Sequence, residues 1–237
     1  MDNTPLINLL HEKLAGRTLE RTFIAGTADM NSGLYKYFQY EADHKKVTEH
    51  MFNSVIASSA MPGIFPPVKR EGMTLLDGGI VWKNDAVNAI QYCRDLGFGD
   101  EDIIVDWITC EGHYLFPDKD IFNQHTLSYG LRTYSIMDFY SSRQDIDRTK
   151  IMYPNVNFRY TISPSESLSI SPVPLDFSRE HLEWCIEVGE KDAKEAIAAG
   201  ETVYGKAILE HFYQIERGIN ADFKTVLQSV KSKLASQ

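Results

Sequence analysis

The chain predicts an α/β protein. Three observations carry this: short apolar runs alternate with helical stretches, a nearly all-apolar hexapeptide (Ile103 to Ile108) sits among them, and the chain closes on amphipathic helices. Of its 237 residues, 43% are hydrophobic and 11% aromatic, enough for one sizeable core with an appended helical piece.

Thr4 before Pro5 predicts a helix N-cap ahead of a rigid first-turn residue, and Leu6, Leu9, Leu10 and Leu14 follow at helical spacing. Arg21 to Gly26, with Phe23-Ile24-Ala25, reads as a strand. The turn-rich Thr27 to Gly33 and the near-alternating Tyr35, Tyr37 and Tyr40 then make it a hairpin. Val47, Met51, Val55, Ile56 and Ala60 define a helical face, which Pro62-Gly63 ends before an extended Ile64 to Val68. Thr74-Leu75-Leu76 is a short strand entering the turn Asp77-Gly78-Gly79. Asn84 is placed to cap a helix with an inner face of Ala86, Ala89, Ile90, Cys93 and Leu96, stopped by Gly97 and Gly99.

Ile103 to Ile108 is expected to be a strand covered on both faces. A long helix over 126–150, a strand over 157–163 and a Ser- and Pro-rich loop over 165–174 follow. Ser178 caps a helix whose expected inner face is Leu182, Ile186, Gly189, Ala193 and Ile197. Beyond Gly200 and Gly205 come two amphipathic helices broken near Gly218-Ile219-Asn220.

Composition narrows the function. A formal net charge of -9, a pI near 5.3 and no basic run of five argue against a nucleic-acid partner. Cys93, Cys110 and Cys185 are odd in number and far apart, so they make neither a disulfide framework nor a metal-ligand pair, and a reducing, cytoplasmic home is expected. The N-terminus lacks the basic start and apolar core of a secretory signal, and no stretch approaches the ~18 apolar residues of a membrane span. Membrane contact is therefore expected to be peripheral at most.

The most informative stretch is Ala57-Ser58-Ser59-Ala60-Met61-Pro62-Gly63-Ile64-Phe65-Pro66-Pro67-Val68, followed nine residues later by Asp77-Gly78-Gly79. It resembles the patatin-like phospholipases, serine lipid acyl hydrolases. In them a helix ending in small residues and Pro leads to a Phe-Pro-Pro strand and then to an Asp-Gly-Gly or Asp-Gly-Ala turn. Asp2-Asn3-Thr4-Pro5-Leu6 and Phe23-Ile24-Ala25-Gly26-Thr27-Ala28-Asp29 resemble segments of the later half of such domains. The resemblance covers residues 2–108 well and 178–199 weakly. It implies a three-layer α/β fold, represented here by its C-terminal half (1–201), with 202–237 a helical extension. It also implies that Asp77 is the acid of a Ser–Asp dyad, held by the turn glycines Gly78 and Gly79. No metal or cofactor is implied.

Chemically, a carboxylate at a strand end, with glycines letting the backbone come close, can act as base toward a serine hydroxyl. Asp-Gly-Gly alone would be an ordinary turn; the preceding helix and Phe-Pro-Pro give it meaning. One departure follows it: Lys83-Asn84-Asp85 stands where many patatins have Asn-Asn-Pro. A larger one is that no two of the 15 glycines are four residues apart, so the Gly-x-Ser-x-Gly nucleophile elbow does not occur, nor does a glycine-rich oxyanion loop. In the family both precede the Asp-x-Thr-Pro-Leu segment.

Ser58 and Ser59 lack the flanking glycines of an elbow and read as small residues that let their helix approach a sheet. His113, with no second ligand at metal spacing, reads as a satisfied loop histidine. Tyr35, Tyr37, Phe38 and Tyr40 read as hairpin aromatics packing on a sheet, and Lys224, Lys231 and Lys233 as a solvated helix face.

Two readings stay open. In one, the chain is part of a lipid acyl hydrolase whose nucleophile lies in sequence not present here, acting on an acyl lipid once completed by an upstream segment or partner protein. In the other, it is a non-catalytic component of a larger assembly.

Overall fold

A computed structural model describes residues 3–42, 46–115, 121–168, 176 and 178–236. Asp2 of the first family-like segment and residues 169–174 of the Ser- and Pro-rich loop lie outside them. The architecture is mixed α/β, as the alternation of elements predicts, and its C-terminal part is helical. The chain divides into two compact units, residues 1–92 and 93–237.

Unit 1 begins with α1 (Thr4–Leu14), where Asn3 rather than Thr4 takes the N-cap position, so Pro5 falls in the first turn. The strand β1 (Phe23–Asp29) runs four residues further than its apolar run and pairs along its whole length with β2 (Leu34–Tyr40). Its extension rests on Asp29, buried among three donors. Its Oδ1 accepts from the amides of Asn31 (3.2 Å) and Thr74 (3.1 Å), and its Oδ2 from the Ser32 hydroxyl (2.7 Å). Those bonds, that of Ser32 first, hold its carboxyl below the usual carboxylate range.

The helix α2 (Glu49–Ser58) buries Met51, Phe52, Ser54, Ile56 and Ala57 and packs on β1 and on β4 (Met73–Asp77). Ala57 and Ala60 have no exposed surface, which is the close approach that small residues allow. Residues 62–65 form a turn rather than the expected extended run, and the strand β3 begins only at Val68 (Val68–Arg70). The four strands form one antiparallel sheet in the order β2-β1-β4-β3.

The helix α3 (Ala86–Asp95) contains the division between the units. Asp85, not Asn84, caps it: Asp85 Oδ1 accepts from the Asn88 amide at 3.2 Å. Of its expected inner face only Ile90 is buried, and Leu96 beyond the helix is 58% exposed.

In unit 2, β5 (Ile104–Ile108) pairs in parallel with β6 (Asn157–Ile162). Ile103 and Trp107 are buried, but Ile104 and Ile108 are 54% and 74% exposed, so the expectation of a strand covered on both faces fails among the described residues. The long helix α4 (Thr126–Met152) and α5 (Arg179–Ala199) stand where the sequence places them. Ser178 caps α5, its hydroxyl accepting from the His181 amide.

The buried face of α5 is not the one expected. Val188, Asp192 and Ala196, spaced by four, are covered, whereas Leu182, Ile186 and Ile197 are exposed. The helices α6 (Val203–Glu216) and α7 (Phe223–Ala235) pack together around Tyr204, Ala207, Ile208, Val226, Leu227 and Val230, with Ala196 of α5 joining this core. The helix α6 begins before Gly205 rather than after it, so Gly205 lies inside the helix. A Cβ there would stand 3.0 Å from Thr161 Oγ1, so its absence lets α6 close on β6.

Candidate functional site

Asp77 ends β4 opposite Thr27 in the centre of the sheet. Pairing stops there because the chain tightens into a single 3-10 turn, Gly78–Ile80. The Asp77 carboxylate caps that turn, Oδ1 accepting from the Gly79 amide at 2.8 Å. Its own amide donates to the Ala60 carbonyl at 3.1 Å, which ties the end of β4 to the small-residue segment after α2. The amides of Val81 and Trp82 both donate to the Gly78 carbonyl, completing the turn.

The two glycines differ in what they do. A Cβ on Gly78 would lie 2.5 Å from the Gly26 carbonyl carbon, 2.7 Å from its oxygen and 2.8 Å from the Thr27 nitrogen, all backbone of β1. No side chain fits between turn and strand. A Cβ on Gly79 would meet the Asp77 Oδ1 at 3.1 Å and the Lys83 side chain at 3.5 Å, so this glycine leaves room for the carboxylate and for the Lys83 stem.

Gly26 serves the same corner from the other side. Its missing side chain is replaced by the Tyr35 hydroxyl, 1.9 Å from where a Cβ would be. That hydroxyl donates to Asp85 Oδ2 at 2.8 Å, the carboxylate that also receives the Asn88 side-chain amide at 2.6 Å. The half-buried Asp77 is therefore preceded by a strand hydrogen-bonded on both edges and followed by a turn and a capped helix that are tied to β1 and β2. Such a carboxylate is held at a fixed position with one oxygen oriented by a backbone donor, as a general base requires.

A second anchor was not legible in the sequence. Arg70, at the end of β3, donates from Nη1 to the Tyr40 hydroxyl (3.0 Å), the Ser54 hydroxyl (2.7 Å) and the His50 carbonyl (3.4 Å). Its guanidinium lies 4.0 Å from the centre of the Phe38 ring. Bonds to Tyr40 and to Glu71 keep its pKa above the ordinary value despite burial. This links β2, α2 and β3 through four residues whose sequence separations give no periodic signal.

The remaining sequence candidates are structural where described. Ser59 returns its hydroxyl to the carbonyls of Val55 (3.0 Å) and Ile56 (3.2 Å), and Ser58 is the last residue of α2. Of the aromatic set, Tyr35, Phe38 and Tyr40 make the contacts given above, and Tyr37 is 49% exposed. His113, in unit 2, is buried and its Nε2 donates to the Ser163 carbonyl at 3.0 Å. Burial presses its pKa down to about 3, so the ring is neutral.

The corner thus joins a small-residue helix end, a Pro-containing turn and a glycine-bounded carboxylate at a central strand end. The family model for patatin-like phospholipase matches residues 1–90, which contain Asp77, Gly78 and Gly79. No curated protein matches the chain. No described helix is long and apolar enough to cross a membrane.

Proposed function

We propose that this chain carries the acid half of a serine lipid acyl hydrolase site, with Asp77 as general base. A serine nucleophile and an oxyanion hole would be supplied by a segment or chain outside this sequence. The reading rests above all on the Asp77 carboxylate, placed by Gly78 against β1 and oriented by the Gly79 amide. The patatin-like match over residues 1–90 supports the lipid-ester class. In the completed site Asp77 takes the proton of the serine hydroxyl as oxygen attacks the acyl carbon, and returns it to the leaving alcohol. The chain would then stand as the C-terminal half of the domain, cytoplasmic, touching membranes at most peripherally.

The test is Asp77→Asn in the completed domain, assembled with the segment bearing Gly-x-Ser-x-Gly. Asn keeps an oxygen for the Gly79 amide but cannot accept the serine proton at neutral pH. Ester turnover should fall by about a hundredfold or more with thermal stability nearly unchanged. Retention of most of the activity removes Asp77 from the mechanism.

The second reading, a non-catalytic component of an assembly, is favoured by a different observation. Ile104 and Ile108 on β5 and Leu182, Ile186 and Ile197 on α5 are exposed apolar side chains on regular elements, the kind of surface that a protein partner covers.

A further inference from the structure

We infer that unit 2 holds an anion site of its own, a cavity of about 300 Å³ between α4, β6 and α6 built to take the dianionic head of a phosphate monoester. It is independent of the reading of Asp77.

The charge comes chiefly from α4. Arg143, Asp147 and Lys150, spaced by four and three, share one face of that helix and line the cavity, and Lys206 of α6 lines it from another side. Three cations thus meet one carboxylate, in a chain whose net charge is -9. Arg143 and Lys150 are half-buried, yet neither they nor Asp147 forms an ion pair among the described residues. Such cations raise the energy of the empty protein unless something brings in negative charge. Burial pushes the pKa of both below its ordinary value, against the pull of Asp147 on both and of Glu111 on Arg143, and the neighbouring Arg143 charge lowers that of Lys150 further.

The donors are held in place. The Arg143 Nη2 donates to the His113 carbonyl at 2.6 Å, and the guanidinium lies near the Phe139 and Phe212 rings. The Lys150 ammonium sits 5.8 Å from the centre of the Phe158 ring. Thr161 and Thr202 add hydroxyl-bearing lining, and Thr161 makes no side-chain hydrogen bond among the described residues. Phe158 and Leu209 add an apolar wall.

The lining charges point to the ligand. Among the lining side chains Arg143, Lys150 and Lys206 outnumber Asp147 by two, with Glu111 acting on Arg143 from outside the lining, and a dianionic phosphate monoester answers that lining more fully than a carboxylate or phosphodiester. The apolar wall accounts for a small organic body on the ester. The same chemistry occurs in soluble phosphate esters and in phosphatidic acid at a membrane surface.

Titration of the full 237-residue chain with sn-glycerol 3-phosphate by calorimetry, and co-sedimentation with phosphatidic acid vesicles against phosphatidylcholine vesicles, tests the site and separates the two sources. The expected result is saturable binding in at least one arm, weakened about tenfold or more by Lys150→Gln and by Lys206→Gln. Asp147→Asn should tighten it, a gain that loss of folding cannot mimic. Lys206 is exposed, so its variant keeps the test open should Lys150→Gln unfold. No binding at millimolar ester in either arm, binding unchanged in both lysine variants, or failure of Asp147→Asn to tighten it would each overturn the site.

Discussion

Substituting Gly78 by Ala should damage unit 1 far more than the same change at Gly79, though the two glycines are adjacent. At position 78 the added methyl would lie 2.5 to 2.8 Å from three backbone atoms of β1, at Gly26 and Thr27. None is the end of a flexible side chain; β1 pairs with β2 on one edge and β4 on the other and cannot retreat without breaking a ladder. Relief therefore requires the 3-10 turn to lift off the strand. Overpacking against fixed groups costs about 1–3 kcal/mol, and backbone on both sides places this case at the upper end, about 3 kcal/mol. At position 79 the tightest contact is 3.1 Å, to the Asp77 side-chain oxygen, which can turn aside for about 1 kcal/mol or less. Native-state hydrogen exchange with peptide-level mass spectrometry reads this directly. Amides of β1 and β4 that exchange through unfolding of unit 1 should exchange roughly a hundredfold faster in Gly78→Ala and no more than about fivefold faster in Gly79→Ala. Equal effects at the two positions would refute the assignment of Gly78 as the contact between turn and strand.

Fluorophosphonate probes should leave the purified chain unlabelled, since no serine sits in a Gly-x-Ser-x-Gly elbow; stoichiometric labelling, read by intact mass, would overturn this and direct attention to Ser58 and Ser59. The burial of His113 should make unit 2 acid-sensitive. Its folded pKa near 3 lies below the ordinary 6.5, so the neutral ring contributes stability above about 6.5 that is lost as pH falls toward 3. Thermal melts of wild type and His113→Gln should converge as pH falls across that window, and a constant gap would remove His113 as the titrating group. The exposed Ile104 and Ile108 predict that the chain associates with itself or a partner. Size-exclusion chromatography with light scattering checks this, and a cooperatively unfolding 27.0 kDa monomer would contradict it.

Local chemistry was legible where one residue type has one structural use. Ser178 caps α5 and Gly218 separates α6 from α7, each as composition predicts, whereas α2 ends at Ser58, ahead of the Pro62-Gly63 expected to stop it. What covers a helix was not legible, because covering depends on partners distant in sequence. The apolar side chains Leu182, Ile186 and Ile197 define an obvious face, yet the tertiary structure buries Val188, Asp192 and Ala196 instead. Asp192 shows why: buried, it accepts from the Ser165 amide at 2.8 Å, a bond no periodicity announces. At the candidate site the motif located Asp77, while the contributions of Gly26 and Tyr35 came from the pairing of β1 with β2, and that of Arg70 from side-chain contacts with β2 and α2. The basic cavity escaped notice because Arg143, Lys150 and Lys206 are ordinary charged residues of helices until the fold gathers them.

The seat of Gly78 on Gly26 changes what the presence of Asp-Gly-Gly can mean. A lineage that stopped hydrolysing lipids would be released from the demand for a base, but not from the need for a residue without a side chain where the turn crosses β1. Both glycines of that crossing would persist under selection for folding alone. Asp77 itself keeps a second employment as the cap of the turn, one that Asn or Ser fills nearly as well. The glycines therefore testify to architecture, and only the choice of Asp over its capping equivalents at position 77 speaks to chemistry.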